Sequence, residues 1–158
     1  MKEIIEKYDP DDFIELLPPT SQLYARSMLD SNNDLTKLAI QLSNEPGKGL
    51  AIKGGQHWPE DIGQRVIKEI HTLICTEDSE YETIREKIKG EGVTSANVLL
   101  FIISNAIAAQ AGMAAALCVP LVALTLAAIT KVGISAWCKS FQPPNKPRRD
   151  IDPTINPS

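Results

Sequence analysis

Apolar positions along the chain follow two regimes. Up to residue 92 they recur at helical spacing within otherwise polar segments; from Val93 to Thr130 they fill every face, and no charged residue interrupts them. In the first regime, Ile4, Ile5, Phe13, Ile14, Leu16 and Leu17 are set among acidic residues. Asp9-Pro10 divides that stretch into two short helical pieces and Pro18-Pro19 ends it, because proline lacks a backbone donor and restricts the residue before it. Thr20 is placed to cap a helix running through Met28 and Leu29, and Asn32 or Asn33 to cap the next. There Leu35, Leu38, Ala39 and Leu42 form one apolar face. Residues 44–59, NEPGKGLAIKGGQHWP, read as a loop whose LAI centre either pairs as a small strand or packs. Pro59, with Glu60 and Asp61 behind it, opens a helix striped by Ile62, Val66, Ile70 and Leu73/Ile74. Ser79 and Glu82 form a capping box for a last amphipathic helix carrying Tyr81, Ile84 and Ile88, closed by Gly90 and Gly92.

The second regime predicts a hairpin. Val93–Gln110 and Met113–Thr130 are read as two helices turning at Gly112, each roughly 27 Å long and close to the roughly 30 Å hydrocarbon thickness of a bilayer. Pro120 is expected to kink the second helix or delay its start. Beyond Lys131 the helix is expected to continue past Trp137 and Cys138 to about Phe141. The tail 142–158, QPPNKPRRDIDPTINPS, has no apolar periodicity and reads as extended or disordered. The fold class is all-α: one domain, 1–141, of about six or seven helices, in which acidic amphipathic helices (1–92) surround an Ala-rich apolar hairpin (93–141).

Composition supports helices over strands, since Ala and Leu supply much of the apolar mass and aromatic residues only 5%. The formal net charge of −4 hides a split: residues 1–92 carry −7 and residues 93–158 carry +3. An acidic body with a basic end gives no reason to expect nucleic-acid binding. Cys75, Cys118 and Cys138, an odd number without repeating spacing, read as reduced thiols of a cytosolic protein. The charged N-terminus lacks the apolar core of a signal peptide.

Candidate chemistry is sparse. His71 and Cys75 lie four apart on one helix, near Glu77 and Asp78, but no second Cys/His pair completes a zinc set, so His71 reads as a half-buried helix residue. His57-Trp58-Pro59 reads as a loop-to-helix entry in which Trp58 staples the helix to the core. The segment PGKGLAIKGG lacks the spacing of a phosphate-binding loop. Pro144 to Arg149 contains a PxxP sequence followed by arginine, which a proline-recognition groove could take; a flexible basic tail is the default reading. No catalytic residue, cofactor or metal is expected, and an enzyme is not the favoured class.

The functional expectation therefore rests on the hairpin. Leu99, Ile103, Ile107, Ala108, Ala111, Leu117, Leu121 and Leu124 are its membrane-facing or core-facing positions. Asn97, Ser104, Ala108, Ala111 and Ala115 make a small and polar stripe suited to close helix contact. Lys87 and Lys89 before it, and Lys131, Lys139, Lys146, Arg148 and Arg149 after it, would hold both ends on the cytoplasmic side of a membrane. In one placement the hairpin inserts into lipid; in the other it is the buried centre of a soluble helical protein. Amphipathic helices sheltering an Ala-rich apolar hairpin give a layout that resembles pore-forming colicin domains and Bcl-2-like proteins, with no shared motif. That resemblance implies a latent hairpin released by a trigger. The expected function is a non-enzymatic, bacterial-type effector or toxin-like permeabilising protein of the cytoplasm, associating with the inner face of the membrane, with lipid and a protein partner or second copy as partners. The alternative is a soluble interaction module, such as an immunity or adaptor protein, whose hairpin is permanent core.

Overall fold

The computed structural model describes residues 1–30, 62–90 and 93–140. Among these the chain is all-α, with eight helices and no strand: α1 (Lys2–Glu6), α2 (Pro10–Ile14), α3 (Pro19–Asp30), α4 (Ile62–Cys75), α5 (Glu82–Gly90), α6 (Ala96–Ala111), α7 (Ala115–Val132) and α8 (Ile134–Ser140). A single 3₁₀ turn, Ser79–Tyr81, leads into α5. The expectations for the Asn-capped helix with Leu35–Leu42, the glycine-rich loop, His57-Trp58-Pro59 and the proline-rich tail lie outside the described residues.

Local signals account for most boundaries. Pro10 takes the first position of α2, and the Asp12 carboxylate accepts from the Asp9 N–H at 2.8 Å, satisfying a donor at the helix start. Pro19 does the same for α3, so that helix begins before Thr20, which lies inside it and is not its cap. A proline is tolerated there because its missing N–H would have had no partner. Gln22 fastens the α2–α3 corner by donating to the carbonyls of Glu15 and Leu17. Before α5, Asp78 rather than Ser79 supplies the capping side chain, accepting from the Glu80 N–H at 2.9 Å.

Helix α7 is the element on which the others converge. It packs against α2, α4, α6 and α8, and eleven of its eighteen residues are buried, including every position from Pro120 to Ile129. Phe13 and Ile14 of α2, and Val66, Ile67, Ile70 and Leu73 of α4, are fully buried in the same core. In α4 those four residues fall at i, i+1, i+4 and i+7, so one stripe of an otherwise polar helix meets the core. Pro120 lies within α7, and the carbonyl deprived of its N–H belongs to exposed Ala116, where water can satisfy it. Thr125, also buried, turns its hydroxyl back to the Leu121 carbonyl at 2.8 Å, which removes the cost of a polar group in the core.

Candidate functional site

The hairpin is formed by α6 and α7. Ser95 starts α6, its hydroxyl accepting from the Val98 N–H at 3.2 Å. Gly112 ends it in the left-handed conformation, φ 71°, which glycine reaches without a Cβ penalty. Three expectations are corrected here. The first helix begins at Ala96 and not Val93, because the serine cap starts it there, and it has 16 residues, roughly 24 Å. The second extends to Val132, 18 residues, and is the only one of the described helices long and apolar enough to cross a membrane by length and composition. Nor does that helix run on to about Phe141: it ends at Val132, where Gly133, with φ 93°, caps it, and α8 follows as a separate helix.

Of the eight hairpin positions, Leu99, Ile103, Ile107, Ala108, Leu121 and Leu124 are buried, while Ala111 and Leu117 are half-buried. The small and polar positions separate. Ser104 and Ala108 are buried, Ala111 and Ala115 are half-buried near the turn, and Asn97 faces water. The Ser104 hydroxyl is buried without a hydrogen-bond partner among the described residues. In the basic flank, Lys87, Lys89 and Lys139 are exposed and Lys131 is half-buried; Lys146, Arg148 and Arg149 lie outside the described residues.

The outer side of α6 differs in character from that of α5. Its water-facing positions are Asn97, Val98, Phe101, Asn105, Ala109 and Gln110. Phe101 is 66% exposed and Val98 41%. No charge appears on this face, whereas the exposed side of α5 carries Glu82, Glu86, Lys87 and Lys89.

Helix α4 straps the hairpin lengthwise. At the turn, Arg65 donates to the Ala111 carbonyl at 2.6 Å, placing a cation at the negative end of the α6 dipole. At the base, Cys75, the last residue of α4, is disulfide-bonded to Cys138 of α8, with a Cα–Cα distance of 5.7 Å. One turn earlier the His71 ring lies 5.9 Å from that of Trp137. The reduced-thiol reading of Cys75 and Cys138 is thereby corrected, and Cys75 is no metal ligand; Cys118 is a free, buried thiol. The argument for a cytosolic location drawn from cysteine usage falls with that pairing.

Two further residues hold the base together. Arg85 of α5 donates from Nε to Leu73 O at 2.9 Å, from Nη2 to Thr72 O at 3.0 Å and from Nη1 to Asp78 O at 2.8 Å. It therefore closes the last turn of α4, whose carbonyls have no helical donor. Buried Tyr81 donates to Glu69 at 2.5 Å, and burial followed by the Glu69 hydrogen bond pushes its phenol well above the usual range. On the other side, Glu6 of α1 accepts from the Ile134 N–H at 2.7 Å, and Lys2 donates to Ser135 at 3.3 Å.

These tethers have no sequence signature: the cysteines are 63 positions apart, and neither arginine is in a motif. No group of three or more potential metal ligands occurs among the described residues. No known protein family, curated protein or solved structure matches the chain. The expected resemblance to pore-forming colicin domains and Bcl-2-like proteins finds no match among them.

Proposed function

We propose that the protein is a latent membrane-active effector whose α6–α7 hairpin is sheltered by the surrounding helices and inserts into lipid when released. The observation that carries this reading is the water-facing side of α6. A surface helix in water ordinarily carries charged or polar residues on its solvent side; α6 presents no charge there, only the neutral Asn97, Asn105 and Gln110 beside Val98, Phe101 and Ala109. An uncharged outer face costs little in water, yet it is required of a helix that must later meet hydrocarbon. Helix α7 would be the spanning element, and exposed Lys87, Lys89 and Lys139 would meet anionic headgroups. Lipid is the proposed partner, and the site of action is defined by a bilayer rather than by a compartment.

A second reading is favoured by the burial of α7. Eleven buried residues in eighteen also suit a permanent core helix in a soluble interaction module, in which the exposed α6 residues would meet a protein partner. Dye release from vesicles of anionic phospholipid separates the two. The membrane reading expects leakage under at least one of four conditions: disulfide intact or reduced, at acidic or neutral pH. Silence in all four would sink it.

A further inference from the structure

We propose that the Cys75–Cys138 disulfide is a redox latch on the hairpin: closed, it locks α8 and the base of α7 against α4; reduced, it lets that base open while the helices persist. As regulation of the hairpin, the inference rests on the membrane reading above. The connectivity motivates it. Both legs of the hairpin lead back to Cys75, the first through α5 and the second through Gly133 and α8, so the covalent loop encloses the whole of α6 and α7. No other covalent tie joins the two sides among the described residues.

Seven residues are too few for a helix to persist unaided. Only Ile134 and Trp137 of α8 are buried among its residues of described exposure. To these are added the His71–Trp137 ring contact, the Glu6–Ile134 hydrogen bond and the Lys2–Ser135 hydrogen bond. Gly133, at φ 93°, stands between α7 and α8 as a ready swivel. Both cysteines are half-buried, within reach of a small reductant.

The step uses a dithiol reductant. Its thiolate attacks one sulfur of the pair, the S–S bond breaks, and the departing cysteine thiolate takes a proton. The reductant's second thiolate then displaces the remaining cysteine from the mixed disulfide, which also takes a proton. Two electrons and two protons reach the protein, and the dithiol leaves as its cyclic disulfide.

Amide hydrogen exchange on the full chain tests the latch in three forms: oxidised, reduced by dithiothreitol, and Cys75→Ser/Cys138→Ser. Amides of residues 126–140 should exchange on the order of a hundredfold faster in the second and third forms, in line with the range for loop-closing disulfides. Those of 64–74 in α4 should change by no more than a few-fold, and helical circular dichroism should be retained. Unchanged exchange at 126–140 would overturn the proposal. So would loss of protection throughout, whether in the variant or in the reduced wild type, because the bond would then be a structural staple. Vesicle leakage measured alongside keeps the two readings apart. Leakage only after reduction supports both. An opened base with no leakage leaves the latch standing and removes the membrane reading. Equal leakage from oxidised and reduced protein keeps the membrane reading and overturns the latch.

Discussion

Phe101→Asp sets the two functional readings against each other at a position where folding is little affected. Phe101 is 66% exposed in the sheltered form, so about a third of its surface contacts the body. Losing that share of a phenylalanine's burial, with the lower helix propensity of aspartate, costs about 1 kcal/mol of folding stability. An aspartate within an inserted helix costs about 3 kcal/mol, and the departing phenylalanine had favoured insertion by about 0.5 kcal/mol. Less the roughly 1 kcal/mol by which the sheltered form is itself weakened, the net is about 2.5 kcal/mol, and at 1.4 kcal/mol per tenfold the insertion equilibrium falls by roughly 60-fold. The assay is dye release from anionic vesicles at neutral pH with the disulfide reduced, beside a urea melt of the same sample. Leu23→Asp is the control: Leu23 is 72% exposed on α3, outside the hairpin, and its substitution should leave leakage intact. Leakage by Phe101→Asp at the wild-type rate would refute the reasoning. A wild type that leaks and a Leu23→Asp variant that fails equally would locate the active surface on α3 instead.

Three other substitutions probe the scaffold. Arg85→Ala removes three hydrogen bonds from a half-exposed guanidinium and should cost about 2 kcal/mol, read as a lower urea midpoint; Arg85→Lys, lacking the fork, should recover only part of it, and Lys87→Ala almost none of the loss. Ser104→Ala removes a buried hydroxyl without a partner and should raise the melting stability by about 1 kcal/mol; a fall of that size would mean that the hydroxyl is satisfied after all. For Glu80, burial first, then the Glu69 and Asp78 carboxylates, raise the carboxyl above its ordinary range, with Lys68 opposing. A raised acid binds its proton more tightly in the folded chain, so stability is lost as pH rises through the carboxylate range. Glu80→Gln should therefore be more stable than wild type at neutral pH, with the difference gone in acid.

The periodic part of the fold was legible because helix faces declare themselves. Val66, Ile70 and Leu73 could be read as a buried stripe from spacing alone, and they are buried. Gly112 was legible as the hairpin turn, since few residues other than glycine take the left-handed end of a helix. Boundaries at Ser95 and Gly133 were missed because an uninterrupted apolar run outweighs a single small residue when only hydropathy is weighed. The tethers were illegible for a different reason. Cys75 finds Cys138, Arg65 finds Ala111 and Glu6 finds Ile134 through tertiary packing, and neither composition nor period encodes such pairs. Spacing could not separate the two sides of α6 either: Ile103 and Phe101 are equally apolar in sequence, and the positions of α7, α4 and α5 around the helix decide which one meets water.

The long reach of these tethers also bears on how the chain is made. Helix α2, with buried Phe13 and Ile14, packs chiefly on α7, and Glu6 waits for Ile134, 128 positions later. Contacts of that span form slowly and only after their second half has been synthesised. Helices α1 to α5 therefore leave the ribosome with apolar stripes that have little to cover. The charge-free hairpin, in turn, emerges when its cover is already waiting. The order of synthesis favours capture of the hairpin by its own chain over capture by a nearby bilayer, and α8 with Cys138 follows it out to close the loop.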